Sequence, residues 1–258
     1  MPTTSTEIAY SVAGDGPGLV LVHGTGGRAT TTWSEIQPHL APTRKVVAPD
    51  LRGCGASRPA DGPLALDELS ADVIAAAADA GLERFDVVGF SLGAAIATQL
   101  AADQPDRVES LALVAPPSPA PNGRTALQFG LWADLVEASP RQFAQLWLLT
   151  GFGRGFVARI PVEQIDRAAH FPIEPATAAQ SRLIAELDLR DVLGRVRART
   201  LVVTCAADVI NPPGPEILGL LENASATRHL QLNSGHMVVL ERPDELADAI
   251  LAFLAEGE

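Results

Sequence analysis

The chain has 258 residues, 47% of them hydrophobic and 19% charged, which excludes a disordered polypeptide and suits one large domain or one domain with a modest insertion. The formal net charge of −12, from 31 acidic and 19 basic side chains, argues against nucleic acid or an anionic membrane as partner and otherwise serves solubility; the partner expected from the motifs below is a small-molecule substrate. Two cysteines, Cys54 and Cys205, are too few for a disulfide framework, no stretch approaches a membrane span, and Met1 to Tyr10 lacks the pattern of a secretory signal, so the expected compartment is the cytoplasm.

In chain order, Thr6 to Val12 reads as an extended edge segment, closed by the turn Gly14-Asp15-Gly16-Pro17-Gly18. Apolar runs at 18–23, 45–50, 85–89 and 110–115 read as buried strands, with helices predicted over 67–80 and 92–103 between them. Continuous apolar strands separated by helices imply a parallel sheet covered on both faces. Lys45, the only lysine, stands at the entrance to one of these strands, which removes lysine-nucleophile chemistry. From Pro116 the strand–helix rhythm breaks. The stretch to Val192 opens on a proline cluster and carries Phe129, Trp132, Phe143, Trp147, Phe152, Phe156 and Phe171. Helices over 125–138, 140–150 and 175–186 make it an inserted lid over residues 116–192, the core being 1–115 and 193–258. Phe129, Trp132, Phe143 and Trp147 are the candidates to line an apolar substrate pocket there. The strand pattern resumes at 200–205 and 228–232, and a helix over 243–255 closes the chain.

Gly89-Phe90-Ser91-Leu92-Gly93 lies between the apolar run at Phe85 and a helix-forming run at Ala94. Strand, G-x-S-x-G turn and helix in that order form a nucleophile elbow, which lifts the Ser91 hydroxyl above the sheet. A serine hydroxyl needs a base, and the base needs an orienting acid. Of five histidines, His236 follows the second late strand in Asn233-Ser234-Gly235-His236, at the sheet edge where the elbow emerges. Asp208, three residues past Cys205, is the carboxylate at a strand end between Ser91 and His236; the end of the preceding strand reads Ala115-Pro116-Pro117 and offers none. Asp208 also has the sequence context of an ordinary turn aspartate. Two backbone N–H groups must hold an oxyanion: Leu92, at a helix N-terminus, and Thr25, in the His23-Gly24-Thr25-Gly26-Gly27 loop. That loop matches neither a Walker A sequence nor a dinucleotide fingerprint, and the reading calls for no cofactor and no metal.

These motifs together resemble the α/β-hydrolase fold superfamily, in its compact lidded bacterial branch. The resemblance rests on the His23-Gly24 loop, Arg52-Gly53-Cys54-Gly55-Ala56-Ser57, the Ser91 elbow, Asp208 and Gly235-His236, in order over nearly the whole chain. It implies an α/β fold with a mostly parallel, doubly wound, eight-stranded-type sheet, and a structural role for the Arg52–Ser57 loop that leaves Cys54 out of the chemistry. Serine at the elbow disfavours the dehalogenase and epoxide hydrolase chemistry of relatives that carry aspartate there. The expected activity is hydrolysis of a carboxylester or lactone of a small, largely apolar substrate through an acyl-enzyme on Ser91. The alternatives are carbon–carbon bond hydrolysis, thioester hydrolysis or acyl transfer by the same triad, and a non-catalytic ligand receptor on the same scaffold. His170, Arg124, Arg154 and Arg159 are weighed as anchors for a substrate carboxylate against a plain surface role.

Overall fold

The computed structural model describes residues 1–212, 214 and 216–257. Seven strands form one sheet: β1 Tyr10–Ala13, β2 Gly18–Val22, β3 Lys45–Pro49, β4 Phe85–Phe90, β5 Val108–Val114, β6 Arg199–Cys205 and β7 Thr227–Leu232, in the order β1-β3-β2-β4-β5-β6-β7. All neighbours are parallel except β1, which pairs antiparallel with β3 at the edge.

The sheet has seven strands among the described residues, not the eight implied by the family resemblance. The segment read as extended over Thr6–Val12 is the antiparallel edge strand β1, which begins only at Tyr10. Thr4 Oγ1 accepts from the N–H groups of Thr6 (3.2 Å) and Ile8 (3.0 Å), and Glu7 sits at φ 62°, so the chain turns where an extended segment was expected. Only an isolated bridge, Thr3 to Ala9, precedes β1.

Strand periodicity sends alternate side chains to two separate cores. Val20 and Val22, Val87, Leu111 and Leu113, and Val202 face one, sealed by the Leu66–Asp79 and Leu92–Asp103 helices. Leu19 and Leu21, Val88, Ala112 and Val114, and Leu201 and Val203 face the other, sealed by Trp33, Ile36 and the closing Pro243–Ala255 helix. Lys45 donates to the Ala80 carbonyl (2.7 Å), a tie between strand and helix end that accounts for it without chemistry.

Between β5 and β6 the described chain is helical rather than extended. Its longest members are Gly123–Ala138, capped by the Asn122 side chain accepting from Thr125 N–H, then Pro140–Gly151 and Thr177–Glu186. The first packs against the third. Several single-turn helices, such as Ala29–Thr32 and Val238–Glu241, carry no sequence periodicity and were not expected.

The elbow is among the tightest points of the fold. A Cβ on Gly89 would lie 2.1 Å from the Gly93 carbonyl oxygen, and one on Gly93 would lie 2.1 Å from the Val22 carbonyl oxygen. Helix and strand therefore approach to a distance only hydrogen fits. Gly93→Ala is expected to destabilise the protein by about 1–3 kcal/mol through forced separation of the helix from β2, read as a lowered midpoint in urea unfolding at unchanged slope.

Candidate active site

The parallel register brings the carboxyl ends of β2, β4, β5, β6 and β7 to one edge, with Val22 beside Gly89, Phe90 beside Val114, and Val114 beside Val203. Ser91 follows β4 directly, at φ 54° and ψ −118°, with its N–H donating to Val114 O (2.9 Å). Such a conformation is strained for a non-glycine residue and is held by the packing around it.

His236 Nε2 lies 3.0 Å from Ser91 Oγ, and His236 Nδ1 lies 2.7 Å from Asp208 Oδ2. The carboxylate accepts only, so Nδ1 carries the proton and Nε2 is left to accept from the serine hydroxyl. All three side chains are buried. Asp208 fills both of its sequence readings at once: Oδ1 accepts from the N–H groups of Ile210 (2.8 Å) and Asn211 (2.9 Å), closing a turn, while Oδ2 holds the imidazole. Asn211 Nδ2 in turn donates to Ala115 O (2.9 Å), tying this loop to the end of β5, where Ala115 has φ 46°. The His236 loop is fastened to the helical segment between β5 and β6. Gly235 N–H and Gly153 N–H both donate to Glu241 Oε1 (3.0 and 2.8 Å), and Met237 N–H donates to Gly151 O (2.8 Å).

The loop after β2 comes close to the serine, with Gly24 so near that a Cβ there would be 3.0 Å from Ser91 Cβ. His23 is fully buried beneath it. Leu51 N–H donates to His23 Nε2 (2.9 Å), so the proton is on Nδ1, which donates to Gly24 O (2.8 Å). Gly27 N–H donates to the same oxygen (3.1 Å). In a trans peptide the C=O and the following N–H point opposite ways, so pinning Gly24 O directs Thr25 N–H away from the core. That N–H has no partner among the described residues. Leu92 N–H belongs to the first turn of its helix, whose amides have no intrahelical acceptor. Burial pushes the His23 imidazolium pKa down. It also pushes the Cys54 and Cys205 thiols up to about 12, leaving both as neutral, weakly reactive groups.

Above Ser91 and His236 opens a cavity of about 440 Å³. Trp132, Phe143 and Trp147 line it, as expected; Phe129 does not, because it is buried behind Trp132, edge-on at 5.0 Å. The rest of the aromatic wall is Phe90, from the elbow, with Phe152, Phe156 and Phe171, which composition alone could not orient. Arg124, Arg154, Arg159 and His170 are not on the cavity wall. Arg124 bonds Val209 O, and Arg159 lies over the Phe156 ring at 5.8 Å from its centre. The charged pair that lines the wall is instead Arg28 and Glu174, bonded to each other. No sequence motif marks either one: each finds its role through a partner far along the chain.

A strained serine after a parallel strand, a histidine and aspartate from later strand ends, and an unpartnered amide on the first loop define a class of α/β enzyme. The chain belongs to the alpha/beta hydrolase family, whose model matches residues 19–249. It is similar to the pyrrolizixenacetamide deacetylase of Xenorhabdus hominickii, 32% identical over 96% of this chain and 94% of that one. It is also similar to the 2-hydroxymuconate semialdehyde hydrolase of Pseudomonas sp. strain CF600, 28% identical over 95% and 89% of the two chains. In fold it matches the enol-lactonase of Burkholderia xenovorans LB400, with a TM-score of 0.84 at 22% identity over 96% of each chain. No described helix is long and apolar enough to cross a membrane.

The buried neutral His23 makes stability depend on pH with a definite sign. The unfolded chain takes up a proton below about pH 6.5 while the folded chain does not, so this contribution is complete above that value and declines as pH falls through it. The slope from this one group is at most about 1.4 kcal/mol per pH unit. Thermal unfolding between pH 7.5 and 5.5 is expected to show a smaller loss of Tm in His23→Gln than in the parent protein.

Proposed function

We propose that this chain is a serine hydrolase that cleaves a carboxylester or lactone of a small, largely apolar substrate through an acyl-enzyme on Ser91. The observation that carries the reading is the hydrogen-bonded line Ser91–His236–Asp208 at the floor of an aromatic cavity. In the proposed reaction Ser91 Oγ attacks the carbonyl carbon as its proton passes to His236 Nε2. The carbonyl oxygen becomes an oxyanion held by the N–H groups of Thr25 and Leu92. The tetrahedral intermediate collapses, the carbonyl re-forms, and the leaving oxygen takes the proton from His236. Water then attacks the acyl carbon, giving its proton to the same nitrogen, and the acid departs as Ser91 recovers its hydrogen. Asp208 holds the imidazole in the required tautomer and stabilises its cation. The substrate enters as a neutral molecule on this reading, since Arg28 and Glu174 neutralise each other on the wall.

The names of the relatives, a deacetylase and a semialdehyde hydrolase, support the hydrolytic part of this reading, and an amide and a carbon–carbon bond are worth assaying beside the esters. The triad is common to all these bonds; the apolar cavity supports a small, largely apolar substrate, and the bond type is what the assay decides.

The test is turnover of p-nitrophenyl acetate and butyrate, with release of one equivalent of product in a burst and labelling of Ser91 by a fluorophosphonate. Ser91→Ala is expected to lose the burst and the label, and Asp208→Asn to lower kcat by about 10⁴-fold with little change in KM. A parent enzyme that neither turns over these esters nor takes the label at Ser91 would sink the proposal. Ligand-induced thermal stabilisation without product in that case would point to a receptor.

A further inference from the structure

We propose that Gln180, on the Thr177–Glu186 helix of the insertion, is a positioning residue for the oxyanion hole. The inference rests on the acyl-enzyme reading above. The Thr25 N–H lies in the peptide plane that carries Gly24 O, and that plane meets the next one at the Thr25 Cα, so holding the next plane limits how far the first can swing. The plane before Thr25 is held from the core, through Gly24 O accepting from His23 Nδ1–H (2.8 Å) and Gly27 N–H (3.1 Å). The plane after it is held from the insertion, through Gly26 N–H donating to Gln180 Oε1 (2.8 Å).

The Gln180 amide is itself locked. It is completely buried, and its Nε2 donates to Cys54 Sγ (3.3 Å). Turning the amide over would set an NH₂ against the Gly26 N–H, so one orientation alone satisfies both ends. The same helix turn grips the loop elsewhere. A Cβ on Gly26, which has φ 66°, would lie 3.0 Å from Thr177 Oγ1. Glu174, just before the helix, accepts from Gly55 N–H (2.8 Å) and bonds Arg28, two residues past Gly26. On this proposal the segment does more than roof the cavity: one of its side chains holds the far side of the residue whose amide receives the oxyanion.

An interaction of this kind matters most when charge develops on the carbonyl oxygen, so its loss lowers kcat and leaves KM nearly alone. Gln180→Leu keeps the volume and removes the acceptor. Gln180→Glu keeps an acceptor oxygen whether its carboxyl is ionised or protonated. With p-nitrophenyl butyrate, Gln180→Leu is expected to lower kcat roughly 10- to 100-fold, short of the roughly 10²- to 10³-fold cost of deleting a donor outright. KM should stay within about twofold, and Gln180→Glu should recover kcat to within about fivefold of the parent. Affinity for phenylboronic acid, which forms a tetrahedral adduct on a serine, should fall in Gln180→Leu by the same factor as kcat/KM; a residue that only supported the fold would not produce that match. A folded Gln180→Leu enzyme with parental kcat, or one altered in KM alone, overturns the proposal. So does a folded Gln180→Glu enzyme more than about 50-fold down, a result that stands even if Gln180→Leu does not fold. Ser91→Ala in the same assay separates the two claims: if it retains turnover, the serine mechanism has failed; if it is inactive beside a fully active Gln180→Leu, the positioning role has failed.

Discussion

Two backbone contacts at the elbow govern the placement of everything around it. The helix after Ser91 presses on β2 until Gly93 meets the Val22 carbonyl, and folds back on β4 until Gly89 meets the Gly93 carbonyl. Val22 is the last residue of β2, so the loop beginning at His23 leaves the sheet directly beside the N-terminus of that helix. The first loop and the N-terminus of the helix lie side by side because no side chain separates the two elements at Gly93. A methyl group at residue 93 would push the first loop away from the serine as well as loosen the sheet.

The parallel sheet completes the arrangement. Every strand from β3 to β7 runs the same way, so each loop at the carboxyl edge offers its residues toward the elbow. Strands and long helices were legible because each is a run of apolar residues or a 3.6-residue pattern, and the Leu92–Asp103 and Pro243–Ala255 helices begin and end where the sequence predicts. The meeting of Ser91, Asp208 and His236 was legible from their positions at strand ends. The turn at Thr4 to Ile8 was not, because a threonine hydroxyl capturing two backbone amides overrides an extended pattern without altering it.

The aromatic wall marks the boundary of such reading. Phe129 and Trp132 are neighbours on one helix, yet Trp132 faces the cavity and Phe129 packs behind it. Which ring turns inward depends on how the helices between β5 and β6 meet, and composition carries no record of that. The polar contacts of the insertion are harder still. Gln180 meets Gly26 across 154 residues of chain, and Glu174 meets Gly55 across 119, each through a backbone amide that any residue would supply. A side chain whose partner is main chain leaves no matching signature elsewhere in the sequence.

Those long-range ties bear on how the cavity selects its occupant. Glu174 is 3% exposed and Arg28 is 42% exposed by side chain, so the carboxylate is the fixed member and the guanidinium the one facing outward. Paired, the two add no net charge to a wall otherwise made of rings, aliphatic side chains and a few hydroxyls, so an ionised group entering it meets a desolvation penalty with no opposite charge to offset it. Discrimination then falls to shape, where a methylene gained or lost in an apolar pocket is worth about 1–3 kcal/mol. Breaking the pair would change that balance: with Glu174 neutralised, Arg28 becomes a free cation beside the first loop, able to hold a carboxylate. A single substitution at residue 174 is therefore the shortest route from a cavity that reads size to one that reads charge, at the cost of the Gly55 contact that helps hold the loop.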